Sequence, residues 1–344
     1  MIVIDGIIFS LQKYGGISTT FNEIIKKMIV SDLDVELLCY DETPNSSGLY
    51  SKLLKKRFLE KLRTVNLPQA GKSKLLHSSY YRYTQDKGVK NVISVYDFIY
   101  EKYEKNPIKR NLHIWQKSNA IKHADAIICN SEHTKKDFIE YYPKFNRDNV
   151  FVIHLSYAAE FSLIDSKAHA KKFHKPYVVF VGMRSVHKNF SECVMALRNI
   201  SEVELVIIGS KDLNENELTL LNSNIPNRYR HMQNVNNAQL SDVYRSAICL
   251  LYPSLYEGFG IPIIEAMASG CAVITTNNSS MPEVAGNAAI LLDEPVAESI
   301  QVAIKQLLDE QLNEKYVELG FTNINRFSWE KTTQSTIDVY NSVM

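Results

Sequence analysis

The sequence predicts an α/β protein made of two doubly wound parallel sheets, and three observations carry that prediction. Short apolar runs alternate with helical stretches, the series occurs twice along the chain, and glycines collect just past the ends of the runs. The first series lies at residues 2–4, 35–40, 91–96, 126–129 and 150–154, the second at 177–181, 205–208, 249–252, 272–275 and 289–292. Each run is continuously apolar and rich in β-branched residues, as a strand covered on both faces requires. Helices between such strands imply right-handed crossovers. At about 150 residues per domain, 344 residues make two domains the natural division. The break is expected within 157–175, an Ala- and Lys-rich stretch with no strand pattern, giving domains of residues 1–160 and 161–328. The last segment, 328–343, reads as a helix capped by Ser328, with Trp329, Ile337 and Tyr340 on one face.

Composition narrows the function. Lys plus Arg number 39 against 38 Asp plus Glu, a net charge of +1, which argues against a nucleic-acid binder with a globally basic surface. Hydrophobic residues make up 45% and charged residues 22%, ordinary for a globular protein. No apolar run approaches the ~20 residues needed to span a bilayer. The start, Met1-Ile2-Val3-Ile4-Asp5, lacks the basic region of a signal peptide, so a cytoplasmic location is expected. The five cysteines are scattered without a CxxC pair, which argues against zinc and disulfide frameworks. Cys39, Cys129 and Cys249 sit inside apolar runs and read as small buried hydrophobes.

Glycine is sparse, 13 residues where average usage gives roughly 24. Gly15, Gly16, Gly182, Gly209, Gly258 and Gly260 follow predicted strands, at the ligand-binding edge of a doubly wound sheet. Tyr14-Gly15-Gly16-Ile17-Ser18 opens a helix whose apolar positions include Phe21, Ile24, Ile25 and Met28. Paired glycines let backbone N–H groups approach a phosphate at a helix N-terminus, although they serve a tight turn equally well, and no GxGxxG fingerprint is present. Past the run at 177–181 comes Gly182-Met183-Arg184-Ser185-Val186-His187-Lys188-Asn189. A helix start disfavours cations, so Arg184 and Lys188 point to an anion between them, most simply a diphosphate. The plain alternative is a solvated basic turn.

The strongest constellation is Tyr252-Pro253-Ser254-Leu255-Tyr256-Glu257-Gly258-Phe259-Gly260-Ile261-Pro262, followed by Glu265 on the helix that Pro262 opens. Loop N–H groups there face a ligand. Glu257 and Glu265 can accept hydrogen bonds from hydroxyls, as acidic residues do from ribose in nucleotide-binding folds.

Together with Asn130-Ser131-Glu132 and Pro282-Glu283-Val284-Ala285-Gly286, these motifs resemble those of family 4 retaining glycosyltransferases of the GT-B fold, over essentially the whole chain. The Arg-x-x-x-Lys-Asn and Gly-Gly-Ile-Ser elements resemble bacterial members that build surface polysaccharides such as O-antigens. The resemblance implies two Rossmann-like domains facing a cleft. Residues 1–160, joined by the C-terminal helix 329–344, would bind the acceptor, and 161–328 the nucleotide-sugar donor. By the same resemblance Gly15 and Gly16 meet the donor phosphates, and Arg184 and Lys188 neutralise the diphosphate. Glu257 and the N–H groups of Gly258, Phe259, Gly260 and Ile261 address the sugar and β-phosphate. Glu265 holds the ribose, and Val235, within Asn234-Val235-Asn236, meets the base. Glu257, Arg184, Lys188 and Asp97 are the expected catalytic residues.

One departure stands out. The family commonly has a His-Asp pair where this chain has Tyr96-Asp97, and a tyrosine differs from histidine in reach and protonation. Tyr96 and His77 are expected on the acceptor side, His77 reading equally as a structural histidine.

The implied reaction moves a hexose to a saccharide or a polyprenyl-diphosphate-linked oligosaccharide, with retention and without a metal, in O-antigen, lipopolysaccharide or capsule synthesis. The donor would be GDP- or UDP-linked: mannose, another hexose or an N-acetylhexosamine. A nucleotide-sugar 2-epimerase and a non-catalytic nucleotide-sugar-binding subunit are the alternatives. Asp32-Leu33-Asp34 is a literal DxD, but it precedes the run at 35–40 and reads as a turn, not a metal site. Residues 52–63 carry six cations against Glu60 alone. Leu54, Phe58 and Leu62 recur every four residues there, which predicts an amphipathic helix, either lying on an anionic membrane or packed as an ordinary surface helix.

Overall fold

The computed structural model describes the chain except for residues 13–14, 31–32, 41–50, 68–70, 163–174 and 210. Two compact units emerge: Met1–Ser156 with Phe327–Met344, and Tyr157–Arg326.

The first unit is a seven-stranded parallel sheet of β1 (Ile2–Asp5), β2 (Val35–Cys39), β3 (Ser51–Leu53), β4 (Leu75–Ser78), β5 (Lys90–Val95), β6 (Ala126–Cys129) and β7 (Val150–Val152). Their order is β3-β2-β1-β4-β5-β6-β7. The chain steps outward from β1, then returns to β1's other side, so the winding reverses between β1 and β4, where Asp5 lies beside Ser78. Helix Gly16–Ile29 buries Phe21, Ile24, Ile25 and Met28 with Ile2, Ile4 and Leu37. The last helix, Trp329–Val343, adds Val339 and Tyr340 to the same core. Ser328 caps it by accepting the Lys331 N–H at 3.2 Å, and a Lys27–Glu330 ion pair ties it to helix Gly16–Ile29.

The second unit is a six-stranded parallel sheet: β8 (Tyr177–Val181), β9 (Glu204–Ile208), β10 (Tyr229–Met232), β11 (Cys249–Tyr252), β12 (Ala272–Thr276) and β13 (Ile290–Leu292). The order β10-β9-β8-β11-β12-β13 repeats the winding, with the reversal between β8 and β11. Crevices beyond the carboxyl ends of strands at such a reversal are where doubly wound sheets bind ligands. Val178, Phe180, Leu205 and Leu251 centre the core. All five cysteines are buried thiols, in keeping with the small-hydrophobe reading of Cys39, Cys129 and Cys249.

The run pattern misses β3, β4 and β10. β3 spans three residues at a sheet edge, and β10 is an edge strand carrying Arg230 and His231. β4 is fully buried but half polar in its letters, Leu75-Leu76-His77-Ser78. The amphipathic helix expected over 52–63 is not formed. The chain there runs extended beyond β3, turns, and makes one 3-10 turn at Glu60–Leu62. Leu59 adopts φ +54°, which a right-handed helix excludes. Glu60 is drawn inward by ion pairs of 2.7 Å to both Arg57 and Arg82. Leu54 packs on the core while Phe58 faces solvent, so Leu54, Phe58 and Leu62 share no helical face.

Candidate active site in the second unit

Where the second sheet reverses, two loops meet. After β8, Gly182 takes φ +117°, the chain makes the 3-10 turn Val186–Lys188, and Asn189 at φ +58° redirects it into helix Phe190–Ala196. The Asn189 amide anchors that corner by donating to the Pro295 carbonyl at 2.6 Å. After β11 the chain enters the glycine loop, and the Leu255 N–H donates to the His187 carbonyl at 2.7 Å, joining the two loops. The segment after β12 fixes the glycine loop from behind. The Glu257 N–H donates to Ser279 Oγ at 3.0 Å, and Ser280 Oγ donates to the carbonyls of Glu257 and Phe259 at 3.0 and 2.9 Å. Gly260, at φ +101°, then starts helix Ile261–Ala268 with Pro262 in its first turn.

This framework brings Lys188 and Glu257 together as an ion pair. Lys188 Nζ also donates to the Tyr252 hydroxyl at 2.9 Å and lies 4.6 Å from that ring's centroid, within cation–π range. Burial, then the Glu257 carboxylate, holds the Tyr252 hydroxyl well above the usual phenol range. Arg184 is held separately. Its Nε lies 2.9 Å from Glu217 Oε1, and Nη2 donates to the carbonyls of Lys211 and Asp212 at 2.9 and 2.8 Å. Gly209 is needed beside it, since a Cβ there would meet Arg184 Nη1 and the Gly182 carbonyl at 3.0 Å each. Each cation has a carboxylate partner, Glu257 for Lys188 and Glu217 for Arg184, so neither stands as an unpaired charge at the turn.

Glu265 lies half-buried on the helix, and no hydrogen bond from the described residues reaches its carboxylate. Burial pushes its pKa up to about 7. Val235 sits half-buried past β10 between Asn234, at φ +53°, and Asn236, which caps helix Asn237–Arg245 through a reciprocal pair with Gln239.

The remaining predicted residues belong to the first unit. Helix Ile7–Leu11 intervenes between β1 and Gly15, so the Gly15-Gly16 pair does not directly follow the strand; Tyr14 lies outside the described residues. A Cβ at Gly15 would overlap the Gln12 amide, and Gly16 opens its helix with no side-chain cap. His77 is buried, with Nδ1 2.6 Å from the Tyr340 hydroxyl and Nε2 2.8 Å from Ser94 Oγ. Tyr96 turns into the same core, where burial raises its hydroxyl above the phenol range. Both line a small cavity of about 20 Å³, the size of one water. Both side chains face inward under the helices that cover the sheet, and His77 takes the structural reading that the sequence also allows.

Asp97 stands half-exposed past β5, its carboxylate accepting the Ile99 N–H at 3.0 Å and its carbonyl accepting from Lys117 at 2.9 Å. Asn130 bonds the Tyr96 carbonyl at 3.0 Å, and Ser131 caps helix Glu132–Tyr141. In the Pro282–Gly286 motif the Val284 carbonyl accepts from Asn323 at 2.9 Å. Of the DxD, Asp32 lies outside the described residues, and Asp34 lies 3.6 Å from the Met1 amine.

The first unit's own reversal point is occupied by protein. Arg82 pairs with Asp5 at 2.9 Å and Glu60 at 2.7 Å, and its Nε donates to the Arg63 carbonyl at 3.0 Å. All three charged groups are buried.

Sequence reasoning missed Tyr252, Ser279, Ser280 and Glu217 as members of the site. Tyr252 had a visible signal, as the last strand residue before the glycine loop. The serines and Glu217 had none, because their partners are remote in sequence.

Residues 163–323, nearly all of the second unit, match the family model for Glycosyl transferases group 1. The second unit is a group 1 glycosyl transferase domain. The chain is 38% identical over 112 residues to O-antigen chain mannosyltransferase B of Escherichia coli, covering 32% of this chain and 29% of that protein. It is 26% identical over 261 residues to the serotype-specific mannosyltransferase WbdA of Escherichia coli, covering 71% of this chain and 32% of that protein. The matches thus span about a third or less of either relative's length. Sucrose-phosphate synthase (tll1590) from Thermosynechococcus elongatus matches the fold with a TM-score of 0.77 at 15% identity, over 99% of this chain and 98% of that one. The fold is GT-B, and in the transferase domain Lys188, Tyr252, Glu257 and Glu265 stand at the carboxyl edge of its central strands. Among the described residues no helix is long and apolar enough to cross a membrane.

Proposed function

We propose that the protein transfers a hexose, most simply mannose from a GDP-linked donor, to a hydroxyl of a saccharide or of a polyprenyl-diphosphate-linked saccharide. The transfer retains anomeric configuration, needs no metal, and serves bacterial surface-polysaccharide synthesis at the cytoplasmic face of a membrane. The observation that carries this reading is the Lys188–Glu257 pair at the reversal point of the transferase domain. The Escherichia coli relatives, both named as mannosyltransferases, favour the sugar.

In this reading the donor diphosphate exchanges with Glu257 for the Lys188 ammonium. Glu257, released, accepts a hydroxyl of the transferred sugar. The N–H groups of Gly258, Phe259, Gly260 and Ile261 add donors at a helix N-terminus, and the Gly15-Gly16 backbone would add more. Glu265 takes the ribose, and Val235 packs on the base. Arg184, locked to Glu217, contributes positive potential without moving. These groups stabilise the charge that develops as the bond from the anomeric carbon to the phosphate oxygen breaks. The acceptor oxygen bonds the same face, and its proton passes to the departing phosphate oxygen. Asp97 is the first unit's residue in the catalytic set.

The test is nucleoside diphosphate release from GDP-mannose, UDP-glucose and UDP-N-acetylglucosamine, with and without a saccharide acceptor, with the product anomer read by NMR. Acceptor-dependent release with retention supports the reading. Sugar interconversion without transfer, or no turnover of any donor, overturns it.

A further inference from the structure

We propose that the first unit holds saccharide chains in a groove at the amino ends of β5, β6 and β7, at the opposite end of the strands from Asp97. The groove has a volume of about 860 Å³, within the ~300–1,000 Å³ of small-molecule sites. Lys90 opens β5, Asp125 precedes β6 and Asn149 precedes β7, so the strand starts form its floor. Three helices end at its walls: Pro107–Lys122, Glu132–Tyr141 and Trp329–Val343.

The floor is held by its own hydrogen bonds. Lys90 pairs with Asp125 Oδ1 at 2.9 Å, Asp125 Oδ2 accepts the Asn91 N–H at 2.8 Å, and Asn149 Nδ2 donates to the Asp125 carbonyl at 2.9 Å. One wall is the run Tyr141-Tyr142-Pro143-Lys144-Phe145. Tyr141 stacks on Phe98, centroids 4.8 Å apart and planes 6° from parallel, which covers one face of its ring, yet the residue is 43% exposed. Tyr142 is pinned through its hydroxyl to Ser118 Oγ at 3.0 Å, and Phe145 packs edge-on against Phe138. An exposed ring already fixed from behind loses little entropy when a ligand covers it.

The chemistry of the groove selects its occupant. A fixed aromatic face takes the C–H face of a pyranose as flat apolar contact. Helix C-termini bring orphan carbonyls, which accept from hydroxyls. The same ends carry partial negative charge, which disfavours a phosphate or nucleotide despite the exposed Lys122 and Lys144 at the rim. An acyl chain or apolar peptide would leave the Lys90–Asp125 pair and the carbonyls without partners. A neutral chain of sugars satisfies ring, carbonyls and ion pair together. The six residues of β5 separate the two edges of the sheet by roughly 20 Å, so only a long saccharide reaches both.

A saccharide occupant rests on the acceptor proposed above, and binding is read apart from transfer. Electrophoresis of the full chain through a gel containing soluble α-mannan, with no donor present, should retard it relative to a plain gel. Tyr141→Ser should weaken that retention at least about five-fold, and Lys122→Ala/Lys144→Ala, both on exposed side chains, at least about two-fold. Circular dichroism and nucleoside diphosphate binding should be unchanged in both. In transfer assays kcat/KM for a long oligomannoside should fall by the same factors, with that for a disaccharide acceptor unchanged. No retention of the parent, retention of both variants equal to the parent's, or release from mannan by inorganic phosphate would each overturn the proposal. Retention needs no turnover, so its loss and a failure of the proposed transfer are told apart.

Discussion

The Tyr340 hydroxyl lies 2.6 Å from Nδ1 of His77, so a residue of the last helix completes the hydrogen bonding of a strand at the centre of the first sheet. Burial pushes the imidazole down to about 3, so it is neutral when folded, and its other nitrogen, Nε2, is bonded to Ser94 Oγ. Tyr340→Phe should cost about 1–3 kcal/mol, the penalty for leaving a buried ring nitrogen unpaired. Denaturant unfolding measures it, and nucleoside diphosphate affinity should not change.

That histidine also sets a pH dependence. Its folded pKa lies below the unfolded value of about 6.5, so the unfolded chain binds the extra proton. The stability it contributes is present above pH 6.5 and is lost as pH falls toward 3. His77→Gln, which does not titrate, should lose this part of the acid sensitivity; an identical pH–stability slope in both proteins would contradict it.

Lys188→Ala should weaken nucleoside diphosphate binding ten-fold or more, since a charge-assisted hydrogen bond is worth about 1.5–3 kcal/mol. Glu257→Gln should do the opposite to the free nucleotide. In the proposed reaction the carboxylate competes with phosphate for Lys188, so removing its charge should leave affinity equal or tighter while kcat falls. Calorimetry on both variants, with steady-state kinetics, separates the two. Weaker nucleotide binding by Glu257→Gln would reverse the roles given to the pair.

Glu265, raised to about 7, has the opposite sign to His77. Its folded form holds the proton more tightly, so the stability it contributes is complete below about pH 4.5 and is lost as pH rises through 7. A ribose hydroxyl donating to the carboxylate favours the charged form. Nucleoside diphosphate binding near pH 6.5 should therefore release protons. Titration calorimetry in buffers of different ionisation enthalpy reads this directly, and Glu265→Gln should abolish it.

Activity should survive EDTA, because in the proposed reaction Lys188 and the loop N–H groups take the diphosphate in place of a metal. Loss on chelation with recovery on adding magnesium or manganese would contradict the phosphate site as drawn.

Most of the fold was legible because buried parallel strands write themselves as continuous apolar runs, as at Tyr177–Val181 and Cys249–Tyr252. β4 was not, since the pairing that lets His77 sit in a core involves Ser94 and Tyr340, far away in the chain. Residues 52–63 misled for a related reason. Their spacing is helical, but the ion pairs of Glu60 to Arg57 and Arg82 decide the backbone. In the transferase domain the glycines and charged residues were visible one by one. What was hidden was their pairing: Lys188 meets Glu257 because β8 lies beside β11, and Arg184 meets Glu217 because β8 lies beside β9.

The buried Asp5–Arg82–Glu60 set has a consequence for stoichiometry. Both sheets wind in the same order around a central reversal, and a chain built that way has two sockets of the kind that take nucleotides. In the first, the guanidinium of Arg82 already holds the place that a ligand's charge would occupy, clamped between two carboxylates. Emptying it would strip buried Asp5 of its cation and leave Glu60 with Arg57 alone, at about 3–5 kcal/mol for a broken buried pair. One nucleoside diphosphate per chain is therefore the expected saturation, and the duplicated architecture keeps a single working socket.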